Sequence, residues 1–279
     1  MAVALALLAS LGSGVGDFLG ALASRRGRTH AVVAIGQVVG VFAAIALSPV
    51  IGGDPTSGDL WWGAAAGVSA ALGILGLYQG LAVGDVGLVS PIAAVGAASW
   101  PVLYSLVIGD VPSGIQAVGL AVGVVAIWLV SQAQGNPRAH HAPVATAVWL
   151  GMAGGAGFGG MFIFFGEVGD DAGMWPLLPA RSAGAIVLVS ITLLAGRSLR
   201  PVAGTMWAVV AAGTVTVAGN GMFVLASHRG SLAVVSVLAA MFPATTVVLA
   251  RIFWGERLGP GRVAGLALAL AAVGLVVAG

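Results

Sequence analysis

An aspartate lies inside an apolar stretch near the start of the chain. Asp17 follows the run Gly12-Ser-Gly-Val-Gly16, and seven uncharged residues separate it from Arg25. An ionisable group at that depth of an apolar helix costs several kcal/mol unless it faces a cavity or a partner. Asp17 could therefore carry a coupling proton or bind a cation, or it could pair with Arg25 or Arg26 at the end of the helix.

Arg181 is a second ionisable residue inside an apolar segment, seven residues after Met174. Its guanidinium could clamp a solute carboxylate with two parallel hydrogen bonds. It could instead pair with Glu167 or Asp171 near the surface. The long side chain can reach the membrane interface, which favours the second interpretation.

Polar and aromatic residues inside other apolar segments are candidates for the lining of a solute cavity. They are Tyr78, Gln79, Trp100, Tyr104, Asn220 and Phe223. Trp100 and Tyr104 are four residues apart and share one helix face. Polar groups inside a membrane must be hydrogen-bonded or hydrated. Gln79 and Asn220 therefore either contact a solute or hold two helices together.

The composition is that of a polytopic membrane protein. Hydrophobic residues make up 59% of the chain and charged residues only 7%, with a mean hydropathy of +1.08. About a quarter of the residues of a soluble domain are charged. All eleven basic side chains are arginines and none form a long run, so no nucleic-acid partner is implied. The lack of cysteine excludes disulfides and thiol chemistry.

No motif of an enzyme, cofactor or metal site occurs in a plausible context. The four histidines fall in predicted loops without further metal ligands. The stretch Gly155–Gly160 formally matches a dinucleotide fingerprint, but no strand precedes it and no acid follows at the required distance. We therefore expect no enzymatic activity, no cofactor and no metal.

Ten apolar runs are long enough to cross a membrane, since a spanning helix needs roughly 20 residues. The first run lacks the basic start of a signal peptide, so we interpret it as a retained helix. The longest polar connection, Gln132 to Ala142, falls between the fifth and sixth runs. The ten predicted helices cover residues 2–22, 31–50, 61–82, 87–108, 114–132, 145–166, 174–195, 204–226, 231–254 and 261–278.

The chain contains an internal duplication. Residues 84–130 align without a gap on 230–276, matching Gly84 with Gly230 and the step Gly109-Asp110 with Gly255-Glu256. An odd number of helices in each repeat inserts the two halves in opposite orientations. We therefore predict an all-α polytopic membrane protein with ten transmembrane helices as two inverted five-helix repeats. The first repeat covers 1–132, a cytoplasmic linker covers 133–144, and the second repeat covers 145–279.

The charges of equivalent loops agree with this inversion. The loop after predicted helix 1 is basic and its counterpart after helix 6 is acidic, whereas the loops after helices 2 and 7 show the reverse. Arginine-rich loops favour the cytoplasmic side. We expect both termini outside and a location in the cytoplasmic membrane.

Val234–Leu268 reads VVSVLAAMFPATTVVLARIFWGERLGPGRVAGLAL. This resembles the signature end of a repeat of the EamA family, in the drug/metabolite transporter superfamily. The likeness lies in Pro243, the turn Gly255–Leu258 and the glycine-rich last helix. The earlier copy differs, because it has Pro91 and Pro101 instead.

The resemblance implies a secondary transporter with a central cavity lined by helices 1, 3, 4, 6, 8 and 9. Members commonly export amino acids or other small metabolites. Pro91, Pro101 and Pro243 lie inside predicted helices. In transporters such interruptions often mark moving or solute-facing helices, and the alternative is a static kink. Glu256 resembles the acid of the family's Gly-Glu step, and its place beside Arg257 predicts a structural or gating salt bridge.

We therefore expect an exporter of a small organic metabolite that works by alternating access, coupled to protons through Asp17. Arg181, Pro243 and Glu256 are the other predicted coupling or gating residues. The expected partners are the solute, the lipid bilayer and a second copy in a homodimer. Two alternatives stay open, namely a flippase for lipids or lipid-linked sugars and a membrane scaffold subunit that does not transport.

Overall fold

The chain folds as a bundle of long apolar helices in a computed structural model, which describes residues 1–25, 28–83, 86–132, 143–255 and 258–279. Ten helical spans are long and apolar enough to cross a membrane. The described residues contain no strand, so the predicted all-helical class is confirmed. The helices are α1 (Ala2–Ser24), α2 (Thr29–Ile51), α3 (Ser57–Val83), α4 (Val86–Val107), α5 (Gly114–Ser131), α6 (Val144–Gly166), α7 (Leu177–Leu194), α8 (Met206–Ser227), α9 (Leu232–Ala239), α10 (Phe242–Trp254) and α11 (Pro260–Ala278).

The ninth span is broken, whereas the sequence predicted one continuous helix over 231–254. Helix α9 ends at Ala239, Ala240 and Met241 form a turn, and α10 begins at Phe242. Pro243 lies in the first turn of α10. Backbone N–H groups in the first turn form no intrahelical hydrogen bond, so the N–H that proline lacks is not needed there. The predicted continuous helix through Pro243 was therefore wrong, and Pro243 lies in the first turn of a helix instead of its interior. Pro91 and Pro101 do lie inside the continuous helix α4.

The helices of the two halves pack in reciprocal pairs. Helix α1 packs along α8, and α3 packs along α6; α2 contacts α8, and α7 contacts α3. If each helix is replaced by its counterpart in the other predicted repeat, the pair α1–α8 becomes α6–α3 and the pair α2–α8 becomes α7–α3. The pairing is what a duplication would produce, and the inverted orientation of the halves stays a prediction.

Glycines allow the closest of these helix contacts. A Cβ atom at Gly12 of α1 would lie 2.9 Å from the Cα of Gly219 in α8, and one at Gly157 of α6 would overlap the backbone of Gly73 in α3. Gly73 and Gly219 are separated by the same offset as the matching sequence stretches. Small residues bring helix backbones together in this way inside membranes.

The glycine shared by the matching stretches has a backbone role in both halves. Gly109 ends α4 with φ of 84°, and Gly255 ends α10 with φ of 65°. Residues with a side chain rarely adopt this left-handed conformation, which glycine reaches at little cost. Glu256, the neighbouring acid for which a gating salt bridge is predicted, lies outside the described residues.

The two ends of the bundle carry opposite charges. The described parts of the connections α1–α2, α7–α8 and α10–α11 form what we call the arginine-rich end, where Arg28 Nη1 donates to the carbonyl of Arg200 at 3.1 Å. The connections α2–α3, α4–α5, α6–α7 and α8–α9 form the acidic end, where the amide of Asp54 donates to the carbonyl of Asp171 at 2.8 Å. The loops that the sequence pairs by charge thus meet at these two ends.

The glycine contacts make a direct prediction about stability. Gly157→Ala should lower the midpoint of thermal unfolding, because overpacking a tight contact typically costs about 1–3 kcal/mol. Gly20→Ala is the matched control, since no heavy atom lies within 4 Å of a Cβ atom built at Gly20. Its midpoint should equal or exceed that of the wild type. Equal midpoints for the two variants would contradict the proposed close contact between α3 and α6.

Candidate functional site

A cavity of about 290 Å³ lies in the half of the bundle nearest the arginine-rich end. Its walls come from the last turns of α3 and α5, the first turns of α4 and α11, and parts of α1, α6 and α10. Most of the lining is apolar, with three hydroxyl groups and two charged residues. The lining residues are Asp17, Leu77, Ser90, Ala93, Ala94, Ala97, Val130, Ser131, Phe158, Phe242, Pro243, Thr246, Val247 and Arg262.

The carboxyl group of Asp17 faces this cavity. The residue is exposed although it lies inside α1, and the phenol of Tyr78 is within electrostatic range. Over the described part of the chain, Asp17 forms neither a side-chain hydrogen bond nor an ion pair. Arg25, one of its two predicted partners, instead stacks over the ring of Trp254 at 4.0 Å. Arg26, the other, lies outside the described residues.

The break between α9 and α10 brings a helix start to the cavity. Phe242 and Pro243, the first two residues of α10, both line it. Helix α1 approaches closely here, since a Cβ atom at Gly14 would lie 2.6 Å from the carbonyl oxygen of Phe242. Thr246 Oγ1 also donates to the carbonyl of Gly14 at 3.1 Å. The positive end of the α10 dipole therefore lies inside the bundle, beside the helix that carries Asp17.

The acidic end is closed by hydrogen bonds between the two halves of the chain, which we call the acidic-end contacts. Tyr104 Oη donates to Glu167 Oε1 at 2.7 Å. Asp110 Oδ2 accepts from Ser231 Oγ at 2.8 Å and from the amide of Leu232 at 3.2 Å. In addition, the amide of Gly169 donates to Asp59 Oδ1 at 2.7 Å. The cavity is thus on one side of the bundle, and these contacts are on the other.

The structure distributes the predicted solute-binding residues over both halves of the bundle. Tyr78 and Gln79 are exposed and follow Leu77 of the cavity wall, whereas Phe223 is buried with its ring centroid 4.6 Å from that of Phe162. Trp100 packs on Gly159 of α6 and is 45% exposed.

Tyr104 belongs to the acidic-end contacts, and Asn220 is partly buried without a side-chain hydrogen bond to a described residue. Of the predicted set, the cavity lining includes Asp17 and Pro243. Solute contact by the other residues stays a prediction.

Arg181 is buried and does not pair with the acids proposed for it. Its Nη1 donates to Oε1 of Gln37 in α2 at 2.9 Å. Glu167, one of those acids, accepts from Tyr104 instead. Within the described residues Arg181 forms no ion pair with Glu167 or Asp171, so that alternative was wrong.

Several cavity residues were missed by sequence reasoning. Ser90, Ser131 and Thr246 supply the hydroxyl groups, and Arg262 supplies a second charge. Serine and threonine are common in transmembrane helices, so they carry little signal by themselves. Of these residues, Ser90 alone carried a sequence signal, because the duplication aligns it with Ser236.

Comparison with protein families identifies the second half of the chain. Residues 145–278 match the model of the EamA-like transporter family, which belongs to the drug/metabolite transporter superfamily. The second half of this chain is an EamA domain. The resemblance inferred from Val234–Leu268 is thereby confirmed. Members of this family are transporters rather than enzymes. With ten apolar spans in its described residues, the chain is a multi-pass membrane protein.

Comparison with solved structures extends the fold to the whole chain. One crystal structure matches with a TM-score of 0.78, covering 98% of this chain and 95% of its own, at 16% sequence identity. At that identity the likeness shows a shared helical arrangement alone. No curated protein matches the sequence.

The cavity predicts which of two serine-to-cysteine variants reacts faster with a thiol reagent. The chain has no cysteine, so one introduced cysteine is the only target. Ser90→Cys in the cavity wall should react with a membrane-impermeant maleimide, whereas Ser236→Cys, 0% exposed, should be at least tenfold slower under the same conditions. Labelling is measured by mass shift on purified protein. Equal rates at the two positions would contradict the cavity.

Proposed function

We propose that the protein is a secondary transporter that moves a small organic metabolite across the cytoplasmic membrane by alternating access. Asp17 carries the coupling proton and contacts the solute site. The observation that carries this proposal is a carboxyl group that has no partner among the described residues and lies in a cavity at one end of the bundle, with the opposite end closed by the acidic-end contacts.

The environment of Asp17 supports a coupling role. An ionised carboxylate in an apolar wall must be hydrated, paired with a cation or neutralised by a proton. In this conformation the cavity has room for water beside the carboxylate. If the helices close around Asp17, the hydrated state is lost and protonation or a cationic solute replaces it. A carboxyl group that binds a proton in one conformation and releases it in the other couples a proton gradient to the movement of a solute.

The size and walls of the cavity support a small solute. Its volume of about 290 Å³ lies at the lower limit of small-molecule pockets, which span roughly 300–1,000 Å³. The lining is mostly aliphatic and aromatic, with the hydroxyl groups of Ser90, Ser131 and Thr246 as hydrogen-bonding groups. An amino acid or a metabolite of similar size suits this site better than a lipid-linked sugar, and a scaffold subunit would need no such cavity.

The matched serines support alternation between two states. Ser90 lines the cavity, whereas its counterpart Ser236 is fully buried without a hydrogen-bond partner for Oγ in the described structure. Matching positions of a duplication thus lie in different environments. In an alternating transporter these two environments exchange when the opposite end opens.

The charges of the two ends support an orientation. Arginine-rich loops favour the cytoplasmic side of a membrane, which supports an orientation with both termini outside and this cavity open to the cytoplasm. An exporter loads its solute in that conformation. The acidic-end contacts then form the outer gate, which must separate before the solute leaves.

The coupling role of Asp17 is tested in proteoliposomes. A thermal-shift screen of amino acids and other small metabolites first identifies a stabilising solute, since a ligand of the folded state raises the melting temperature. Asp17→Asn should then lose accumulation driven by a pH gradient but retain solute exchange without a gradient. Asp54→Asn, at an exposed position of the acidic end, is the matched control and should accumulate solute like the wild type.

Two outcomes would overturn the proposal. Undiminished gradient-driven accumulation by Asp17→Asn would remove the coupling role of that residue. A folded protein that neither binds nor transports any solute in the panel would favour the scaffold subunit, and movement of labelled lipid between leaflets would favour the flippase.

A further inference from the structure

Arg181 and Gln37 form a buried pair of polar side chains away from the cavity. Each is 8% exposed, and Arg181 Nη1 donates to Gln37 Oε1 at 2.9 Å. Nη2 of Arg181 is buried and has no hydrogen-bond partner among the described residues. A guanidinium group has five N–H donors and no acceptor, so one neutral amide oxygen leaves most of this donor capacity unused.

Glycines on two helices make room for this pair. A Cβ atom at Gly40 of α2 would lie 2.9 Å from Cδ of Arg181, and one at Gly184 of α7 would lie 3.5 Å from the amide carbon of Gln37. Val217 of α8 and the backbone of Gly67 in α3 enclose the same region. The packed helices thus hold the arginine in place, and it does not reach the membrane interface.

The charge of Arg181 is not balanced by any acid in the described part of the chain. Glu167, Asp110 and Asp59 each accept hydrogen bonds at the acidic end, and Asp17 borders the cavity. A buried ion without a counter-charge costs several kcal/mol, whereas an oppositely charged partner with good geometry offsets much of this cost. The unused donors of Arg181 therefore require an anion that the chain itself does not supply here.

We propose that Arg181 and Gln37 form a binding site for a small anion between α2 and α7. The ligand is a monovalent carboxylate or halide that accepts hydrogen bonds from Nη2 of Arg181 and from the amide nitrogen of Gln37. Because Nη2 is sealed in this conformation, the anion binds a state in which α2 and α7 have moved apart. Binding then shifts the population toward that state. Neither residue lines the Asp17 cavity, so this site is separate from the proposed proton site.

The site is tested by thermal unfolding of the purified wild-type protein in chloride-free buffer. Sodium chloride, formate and acetate are titrated separately, with ionic strength held constant by sodium isethionate. We expect a saturable rise in Tm of about 2–4 °C with at least one of these anions. A response to chloride identifies an inorganic anion, whereas a response to formate and acetate alone identifies the carboxylate of an organic ligand.

Substitutions of Arg181 and Gln37 test whether the anion-dependent rise in Tm comes from this site. Gln37→Glu places a carboxylate beside Nη1 of Arg181, so it should raise Tm in the isethionate buffer without chloride, formate or acetate, and it should abolish the further rise on addition of these anions. Arg181→Gln should also abolish the anion-dependent rise in Tm. If Arg181→Gln does not fold, Gln37→Glu alone tests the site. Gln116→Glu is the matched control, because this partly exposed residue belongs to a capping box with Ser113, a motif in which glutamate also occurs at this position. It should respond like the wild type.

Two results would overturn the anion site. One is a wild-type Tm that no anion raises. The other is a rise of equal size in wild type, Gln37→Glu and Arg181→Gln, which would place the bound anion elsewhere.

Discussion

A hydrogen-bonding group inside an apolar bundle needs a partner from the protein or from trapped water, because the bilayer offers none. This constraint separates the two halves of the molecule. At the acidic end, Tyr104, Asp110 and Asp59 find partners across the boundary between the predicted repeats. At the arginine-rich end, Asp17 faces a cavity instead. The closed and open ends of the bundle therefore follow from where polar groups are satisfied.

Glycine packing and the broken ninth span make this arrangement sterically feasible. Gly12 against Gly219 and Gly157 against Gly73 bring the helices of one half against those of the other. The break at Ala240 and Met241 then places the start of α10 beside Asp17. The equivalent helix of the first half, α4, is continuous. The two halves thus share a plan but differ in shape at the cavity, as expected of a transporter with one end open.

Features set by local sequence could be predicted, and features set by distant contacts could not. Hydropathy predicted the ten spans, and the charge of Asp17 in an apolar stretch made a cavity one of two alternatives, the other being an ion pair with Arg25 or Arg26. The break before Pro243 was missed because Ala240 and Met241 carry no turn signal. The partners of Tyr104 and Arg181 were also missed, since Glu167 and Gln37 are distant in sequence. Phe223 looked like a cavity aromatic, but tertiary packing buries it against Phe162.

Alternating access requires the acidic end to open when the cavity end closes. It is tested most directly by the distance between spin labels on Val111→Cys and Arg229→Cys, exposed positions of that end on opposite halves of a chain without native cysteine. We expect one short distance in this conformation and a second population with a longer distance when protons and a transported solute are added. An unchanged short distance in proteoliposomes that carry out transport would contradict alternating access through the acidic end.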